Sequence, residues 1–580
     1  MRLSTDFELG AVPLSQHPMP QAERKNWLCL NGKWDFYKED LSGKRSYESQ
    51  ILVPFSPETL NSGIEKGFVL YSNEKLVYTR KIELNDTLLL GKTLLHFGAV
   101  DSECQVYVNG EHVGGHKGGF TAFALDITDA VTAGENEIKV VCWDEATRNS
   151  DARGKQSDQS GTIWYTAQSG IWQTVWIESM PKHYIHALRI TPDVRRKQVT
   201  VESQSFGDEQ QITVYDDNDV ILSATYLDRV TLVHNFELWS PENPKLYKVK
   251  ITNASGDEME SYFGVRSFGK CKDKNGIARL SLNGNPYFFN GVLDQGYWSD
   301  GLLTYPSDKA IVNELKMLKD MGFNTVRKHI KVEPMRWYYH CDRLGLVVWQ
   351  DFVNGGGQYK FSHVAAFPFL GFHHRDDDYA YFARENEGGR VAFNVMADEI
   401  LDQLYNCVCI GVWVPFNLYR LNIDLNLVTN LEICVITELC CRDNTLALVA
   451  DIYDYLALVN LGNCTLNGLT YRDVRHRIAI QLLDLLFWLI VKARLVLKRC
   501  PIKILDCYFC ILHTINFAIQ SLVKKLINSE LCVRSALAHT IRTAKVSRKI
   551  KIAKFSDKYL SFRIIRREKR VGAQSWRAIR

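Results

Sequence analysis

MGFNTVRKHIKVEPMRWYYHCDRLGLVVWQD, residues 321 to 351, contains one complete strand, helix and strand in succession. Thr325-Val326-Arg327 is a β-branched strand signal, Pro334 to Leu344 a helix opened by its proline, and Leu346 to Trp349 the next strand. Working outward, an apolar strand is expected at Tyr287 to Leu293. It is followed by a helix from Ser307, with Ile311, Leu315 and Leu318 on one face and Gly322 as its stop. Downstream, Val391 to Leu404 reads as a helix and Cys409 to Val414 as a strand. Strands alternating with helices predict a parallel sheet, here the first half of a (β/α)₈ barrel. A complete barrel takes ~250 residues, so its other half would have to come from the remainder of the chain.

Upstream the period changes to two. Cys104, Val106 and Val108 share one face before Asn109-Gly110, a dipeptide suited to a type I′ hairpin. The alternation returns in Ile138, Val140, Cys142 and in Trp172, Thr174, Trp176, which predicts an antiparallel sandwich. Around residues 183 to 268 a second set of strands (Val199 to Val201, Ile212 to Val214, Leu246 to Ile251) has the length of an immunoglobulin-like sandwich. The expected domains are therefore 1–182, 183–270, 271–417 and a tail, 418–580.

The tail is a different kind of sequence. Of 580 residues, the first 417 hold 34 of the 37 Gly, 14 of the 15 Pro and 11 of the 13 Trp. The last 163 carry 27 basic and 12 acidic residues, net +15, which leaves net −11 for the rest and +4 overall. Three Gly and one Pro provide little turn chemistry to finish a barrel. A shifted reading frame or a joined foreign sequence is the simplest account.

Barrel enzymes carry their working side chains at the carboxyl ends of the strands. Those ends supply Asp294, Gln295, Tyr297 and Trp298, then Arg327 and His329, then Trp349 and Asp351, then Asn417. Aromatic rings, amides, an arginine and carboxylates suit a sugar, whose CH faces stack on rings while its hydroxyls need many hydrogen-bond partners. Asp294, Trp298, Arg327, His329, Trp349, Asp351 and Asn417 form the expected substrate-binding set, gathered around one concavity.

The segments RKNWLCLNGKWDF, LHFGAVDSECQVYVNGEHVGGHKGGFTAFALDIT, SGIWQTVW, LWSPENPKLY, GVLDQGYWSDG and CIGVWVPFN, together with the stretch quoted first, resemble glycoside hydrolase family 2, the β-galactosidase, β-glucuronidase and β-mannosidase group. The resemblance runs in order through residues 15 to 417. It implies a sugar-binding-type jelly roll, an immunoglobulin-like sandwich and a barrel that hydrolyses β-glycosides with retention. Such chemistry needs two carboxyl groups about 5 to 5.5 Å apart, one protonated and one ionised. The family places its acid Glu directly after the Asn that ends the fourth strand, and its nucleophile Glu on the seventh. Here Asn417 is followed by Leu418, and Glu432, Glu438, Glu530 and Glu568, the only glutamates of the tail, lack the glycine-flanked setting of the nucleophile. Asp294, Asp351 and Glu333 offer a substitute pair with no visible source of a raised pKa. An inactive glycosidase relative is expected, with a non-catalytic carbohydrate-binding protein as the alternative and a basic-tailed interaction protein third.

No cofactor and no metal are expected. Cys507 and Cys510 lack a second ligand pair, and the adjacent His373 and His374 with Asp376 to Asp378 read as a solvated loop. Seven scattered cysteines in the first 417 residues suit reduced, buried thiols. No secretory leader or membrane span is visible; Ile478 to Val491 is broken by Gln481 and Asp484. A cytoplasmic location is expected, with a carbohydrate as ligand. Fifteen basic residues in 534–580 imply only non-specific attraction to nucleic acid or anionic lipid. The sequence leaves the oligomeric state open.

Overall fold

The computed structural model describes residues 4–415 apart from 66, 146–149, 162, 207–208, 217–219, 359, 361, 364–373 and 375–377. Asn417, Leu418, the whole basic tail, the Cys507 and Cys510 pair, and His373, Asp376 and Asp377 lie outside the described residues. His374 and Asp378 are described, and they pair with each other at 2.6 Å.

The first sandwich is built from a six-stranded sheet and a four-stranded sheet. In the larger, the strands run in the order Arg45–Val53, Gly32–Asp40, Glu74–Leu84, Gly134–Trp143, Glu103–Val108, Glu111–Lys117. Period two is what fills the core: Cys104, Val106 and Val108 stand opposite Cys142, Val140 and Ile138, and all six are fully buried. Asn109 and Gly110 both adopt left-handed backbone, φ 49° and 86°, which is the requirement of the type I′ hairpin. The smaller sheet, ordered Trp27–Cys29, Val175–Pro181, Gly91–Phe97, Phe123–Asp126, closes the other side with Leu95, Phe97 and Ile177.

The expected alternation across Trp172, Thr174 and Trp176 is interrupted. The chain forms two separate strands there, Gly170–Ile171 and Val175–Pro181. Trp172 leaves the sandwich and donates its ring N–H to Gly119 O in the core shared with the parallel layer.

The second sandwich has a three-stranded sheet (Ile185–Asp193, Gln198–Ser205, Arg229–Val233) facing a four-stranded one (Ile221–Thr225, Gln210–Tyr215, Tyr247–Asn253, Glu258–Phe263). Val199, Val201, Ile212, Val214 and Ile251 are fully buried between them. Arg24 ties the two sandwiches together, since its guanidinium reaches Glu178 of the first and Asp257 of the second, each at 3.1 Å.

After a hairpin, Phe268–Lys272 with Ala278–Leu282, four strands form a parallel sheet in chain order: Gly291–Asp294, Thr325–Lys328, Val347–Asp351 and Ile410–Val414. The first is shorter than the expected Tyr287 to Leu293, because Tyr287 N still bonds to Leu280 O of the hairpin and the parallel pairing begins only at Gly291. Helices α1 (Asp308–Asp320), α2 (Met335–Leu344) and α3 (Glu387–Gln403) lie between the strands. The ends of these helices are chemically marked. Ser307 accepts from Ala310 N to open α1, Gly345 closes α2 at φ 75°, and Asn386 accepts from Gly389 N to start α3 a turn before the expected Val391. Helix α2 covers one face of the sheet, where Tyr338 donates to Gln350 and Lys328 sits 4.4 Å from the Trp337 ring centre. On the opposite face Phe289 lies 6.0 Å from Trp349, while Leu293 is 45% exposed and Phe288 80%.

Candidate functional site

Register decides which strand-end residues meet. Leu293, Arg327 and Trp349 stand level across the first three parallel strands, and Asp294, Lys328 and Gln350 make the next row. Successive residues of a strand point to opposite faces. Arg327, His329 and Asp351 therefore converge on the face away from α2. Arg327 grips Asp351 with a two-pronged contact, Nε to Oδ1 at 2.9 Å and Nη2 to Oδ2 at 3.1 Å. His329 Nδ1 lies 2.7 Å from the same Oδ2. Trp349, half-buried, flanks this group, and its indole nitrogen is buried without a hydrogen-bond partner.

Asp294 belongs to a second cluster, on the helix side. Lys328, fully buried, donates to Asp294 and, at 2.7 Å, to the buried Glu333. Burial alone would push the Asp294 carboxyl up, but the Lys328 ammonium, aided by Gly296 N–H and Lys331, holds it below the usual carboxylate range. Lys331 completes the group: its ammonium reaches Glu333 at 2.8 Å and donates to Gly296 O at 2.7 Å and Leu303 O at 2.8 Å. The loop from Asp294 to Leu303 is thus clamped from beneath. A side chain at Gly296 would strike Glu333 Oε1 at 2.4 Å, which explains a glycine at this φ of 64°.

Trp298 sits on that loop. It is half-buried against Tyr305 (5.3 Å) and Phe7 (6.2 Å), and its backbone bridges to Leu302. The expected set is therefore divided: Arg327, His329, Asp351 and Trp349 share a face, Asp294 serves the loop support, Trp298 packs on the loop, and Asn417 is outside the described residues.

The first sandwich contributes to the same end of the sheet. Tyr165 stacks on Tyr297 with ring centres 3.8 Å apart, Gly154 N donates to Asn354 O at 2.9 Å, and Arg153 donates to Gly356 O. Gln168 accepts from Leu303 N at 3.1 Å. A small cleft lined by Asp101, Ser102, Asp144, Asp151 and Gln156 opens beside this seam. Burial, and then Asp144, keep the Asp101 carboxyl well above its usual range. Among the described residues, no group of three or more His, Cys, Asp or Glu side chains is placed to hold a metal ion.

The description "Glycosyl hydrolases family 2, sugar binding domain" matches residues 46–181, and "Glycosyl hydrolases family 2" matches residues 183–266. Residues 46–181 and 183–266 thus resemble glycosyl hydrolase family 2. The chain is 27% identical over 372 residues to a β-galactosidase of Leuconostoc mesenteroides, covering 55% of this chain and 34% of that protein. To a β-galactosidase of Lactococcus lactis it is 24% identical over 339 residues, covering 56% and 33%. The chain thus spans about a third of the length of these curated relatives. A solved β-glucuronidase from an uncultured Clostridium shares the fold at a TM-score of 0.57 and 20% identity, covering 72% of this chain and 71% of that one. A β-glucuronidase of Ruminococcus gnavus, solved with D-glucuronic acid, does so at 0.56 and 17%, covering 76% and 73%.

Lys328 and Lys331 were not among the residues expected at the site, and Glu333 was weighed only as a substitute catalytic carboxylate. A lysine in a strand reads as solvent-facing, and only the chain fold brings two lysines and two carboxylates into one buried group. Arg153 and Tyr165 were missed as well, because their partners lie about 200 and 130 residues further along the chain.

Proposed function

We propose that residues 271–417 are the first half of a (β/α)₈ barrel of a retaining β-glycosidase, preceded by a jelly roll at 1–182 and an immunoglobulin-like sandwich at 183–270, and followed by an unrelated, frame-altered tail at 418–580. The observation that carries this reading is the Arg327, His329 and Asp351 group beside Trp349, at the carboxyl ends of parallel strands. A fixed arginine, an imidazole and a ring suit the hydroxyls and CH face of a sugar. Asn417 would complete the rim, with Asp294 and Trp298 supporting the loop above it.

The chain as written binds a β-glycoside and does not turn it over. Leu418 occupies the acid position and cannot donate a proton, and no glutamate in the nucleophile's setting follows. Purified full chain, incubated with nitrophenyl β-glucuronide, β-galactoside and β-mannoside, should release no nitrophenol, and Leu418→Glu alone should not restore release, because a double displacement needs both groups. Calorimetric binding of one of these sugars, abolished by Trp349→Ala, is the expected positive result. Robust hydrolysis with contaminating enzyme excluded would overturn the inactive reading. Translating the coding DNA past codon 417 in the other two frames should reveal a Glu and further βα repeats.

A non-catalytic carbohydrate-binding role is the second reading, favoured by the match of residues 46–181 to a sugar binding domain. Sugar binding that survives Trp349→Ala would assign the ligand to that domain instead of the sheet face.

A further inference from the structure

Among the described residues the second sandwich presents four sheet edges, and three are covered or guarded. The Ile185–Asp193 edge is capped by the segment after α3: Asn406 accepts from Ile190 N at 2.9 Å and donates to Leu188 O at 2.8 Å. The Glu258–Phe263 edge exchanges two backbone hydrogen bonds with Glu23, through Glu260, and carries both Glu258 and Glu260. The Arg229–Val233 edge begins with Arg229, paired with Glu202 at 3.1 Å. Charge and coverage of this kind are how sheets avoid pairing with other chains.

The fourth edge, Ile221–Thr225, has neither. It bonds on one side to Gln210–Tyr215 and stands at the border of its sheet. Residues 220 to 227 read VILSATYL, eight in a row without a charge, a proline or a glycine. Val220 is 56% exposed, Ile221 57%, Tyr226 70% and Leu227 56%. A strand with high β-propensity, exposed apolar side chains and unguarded backbone groups is a pairing template.

We propose that this edge pairs antiparallel with the same edge of a second copy of the chain, about a two-fold axis at Ser223, turning two four-stranded sheets into one of eight strands. The absence of charge selects a second copy, because a strand opposite itself meets every one of its own charges and this one has none. The register sets large against small: Ile221 opposes Thr225 of the partner subunit, and Leu222 opposes Ala224 of the partner subunit. A two-fold pair is closed, so it consumes the edge once and does not grow into a fibre. A strand pair this short buries less than the ~1,200 to 2,000 Å² of a standard interface, so the dimer is weak and concentration-dependent.

Sedimentation velocity of the full chain across a range of concentrations tests this. Wild type should shift reversibly from monomer toward dimer, and the double variant Ile221→Lys with Ala224→Lys, both exposed positions, should weaken that dimer by at least ~10-fold. Ser223→Cys should form an intermolecular disulfide under mild copper-phenanthroline oxidation, whereas Val233→Cys, on the Arg229 edge, and wild type should not. A wild type that stays monomeric throughout overturns the proposal, whether or not some other protein's strand occupies the edge. So does a dimer indifferent to the lysine pair, or a Ser223→Cys chain that does not cross-link.

Discussion

The first sandwich and the parallel layer solve the same problem differently. In the sandwich, each strand hides one side of its pleat, and the second sheet, drawn from the same 180 residues, covers it; Val106, Val140, Leu95 and Ile177 meet in one closed core. The parallel sheet has helix α2 on one face, but on the other Leu293 remains 45% exposed and Arg327, His329 and Asp351 occupy the place of a core. Parallel sheets ordinarily bury both faces. The lesson is that an antiparallel unit carries its own cover within a short span of chain, whereas a parallel sheet depends on whatever follows it.

The sharpest way to break this contrast is inside the buried ion group of the parallel layer. Lys328→Ala would leave Asp294 and Glu333 without their shared cation, and the expected loss is about 3 to 5 kcal/mol in urea unfolding. A loss near zero would mean that water reaches the group and that this face is less closed than its burial indicates.

Ile138→Ala in the first sandwich should cost about 2 to 5 kcal/mol, while Leu293→Ala on the open sheet face should cost less than about 1 kcal/mol. Equal costs would show that Leu293 is covered in solution.

Acid should move the two regions in opposite directions. Burial, against the pull of Glu178, lowers His17 of the sandwich side to about 4, and its Nδ1 already accepts from Met19 N–H. Its stabilising contribution is complete above 6.5 and is lost as pH falls through about 4. Burial raises Asp342, beneath the fourth parallel strand, to about 6, despite hydrogen bonds from Cys409 and Tyr262. Its contribution is present below 3.8 and is lost as pH rises through about 6. Unfolding titrations should therefore show His17→Gln flattening the acid-side loss, and Asp342→Asn flattening the opposite slope.

The smallest effect is expected at Lys81 and Glu135, paired across the outer face of the first sandwich at 2.8 Å with both side chains mostly exposed. Lys81→Ala should leave the unfolding midpoint unchanged within error, since solvent and salt screen such pairs.

Much of the fold was legible because it rests on local period. Ser307, Gly322 and the Asn109-Gly110 turn each act within a few residues, and the structure places them at the ends that the sequence marks. Helix α3 begins earlier than its apolar pattern because Gly388 and Gly389 dilute that pattern, while Asn386 supplies the cap. The site was legible as a set of strand ends but not as an arrangement. Asp294 and Arg327 look alike in sequence as polar residues closing strands, yet the register sends one toward α2 and the other away from it.

From sequence alone came the alternation that makes two sandwiches, the change to strand and helix after residue 270, the polar and aromatic strand ends, and the break in composition near Asn417. These follow from side-chain periodicity and backbone preference, which act over a few residues. Tertiary structure decided that Lys328, Lys331 and Glu333 share a buried group, that Trp172 serves the parallel layer, and that Tyr165 stacks on Tyr297. It also decided which edge of the second sandwich stays bare. Each of these depends on which distant segments meet and on what covers them, and so on burial and charge pairing that exist only once the chain has closed on itself.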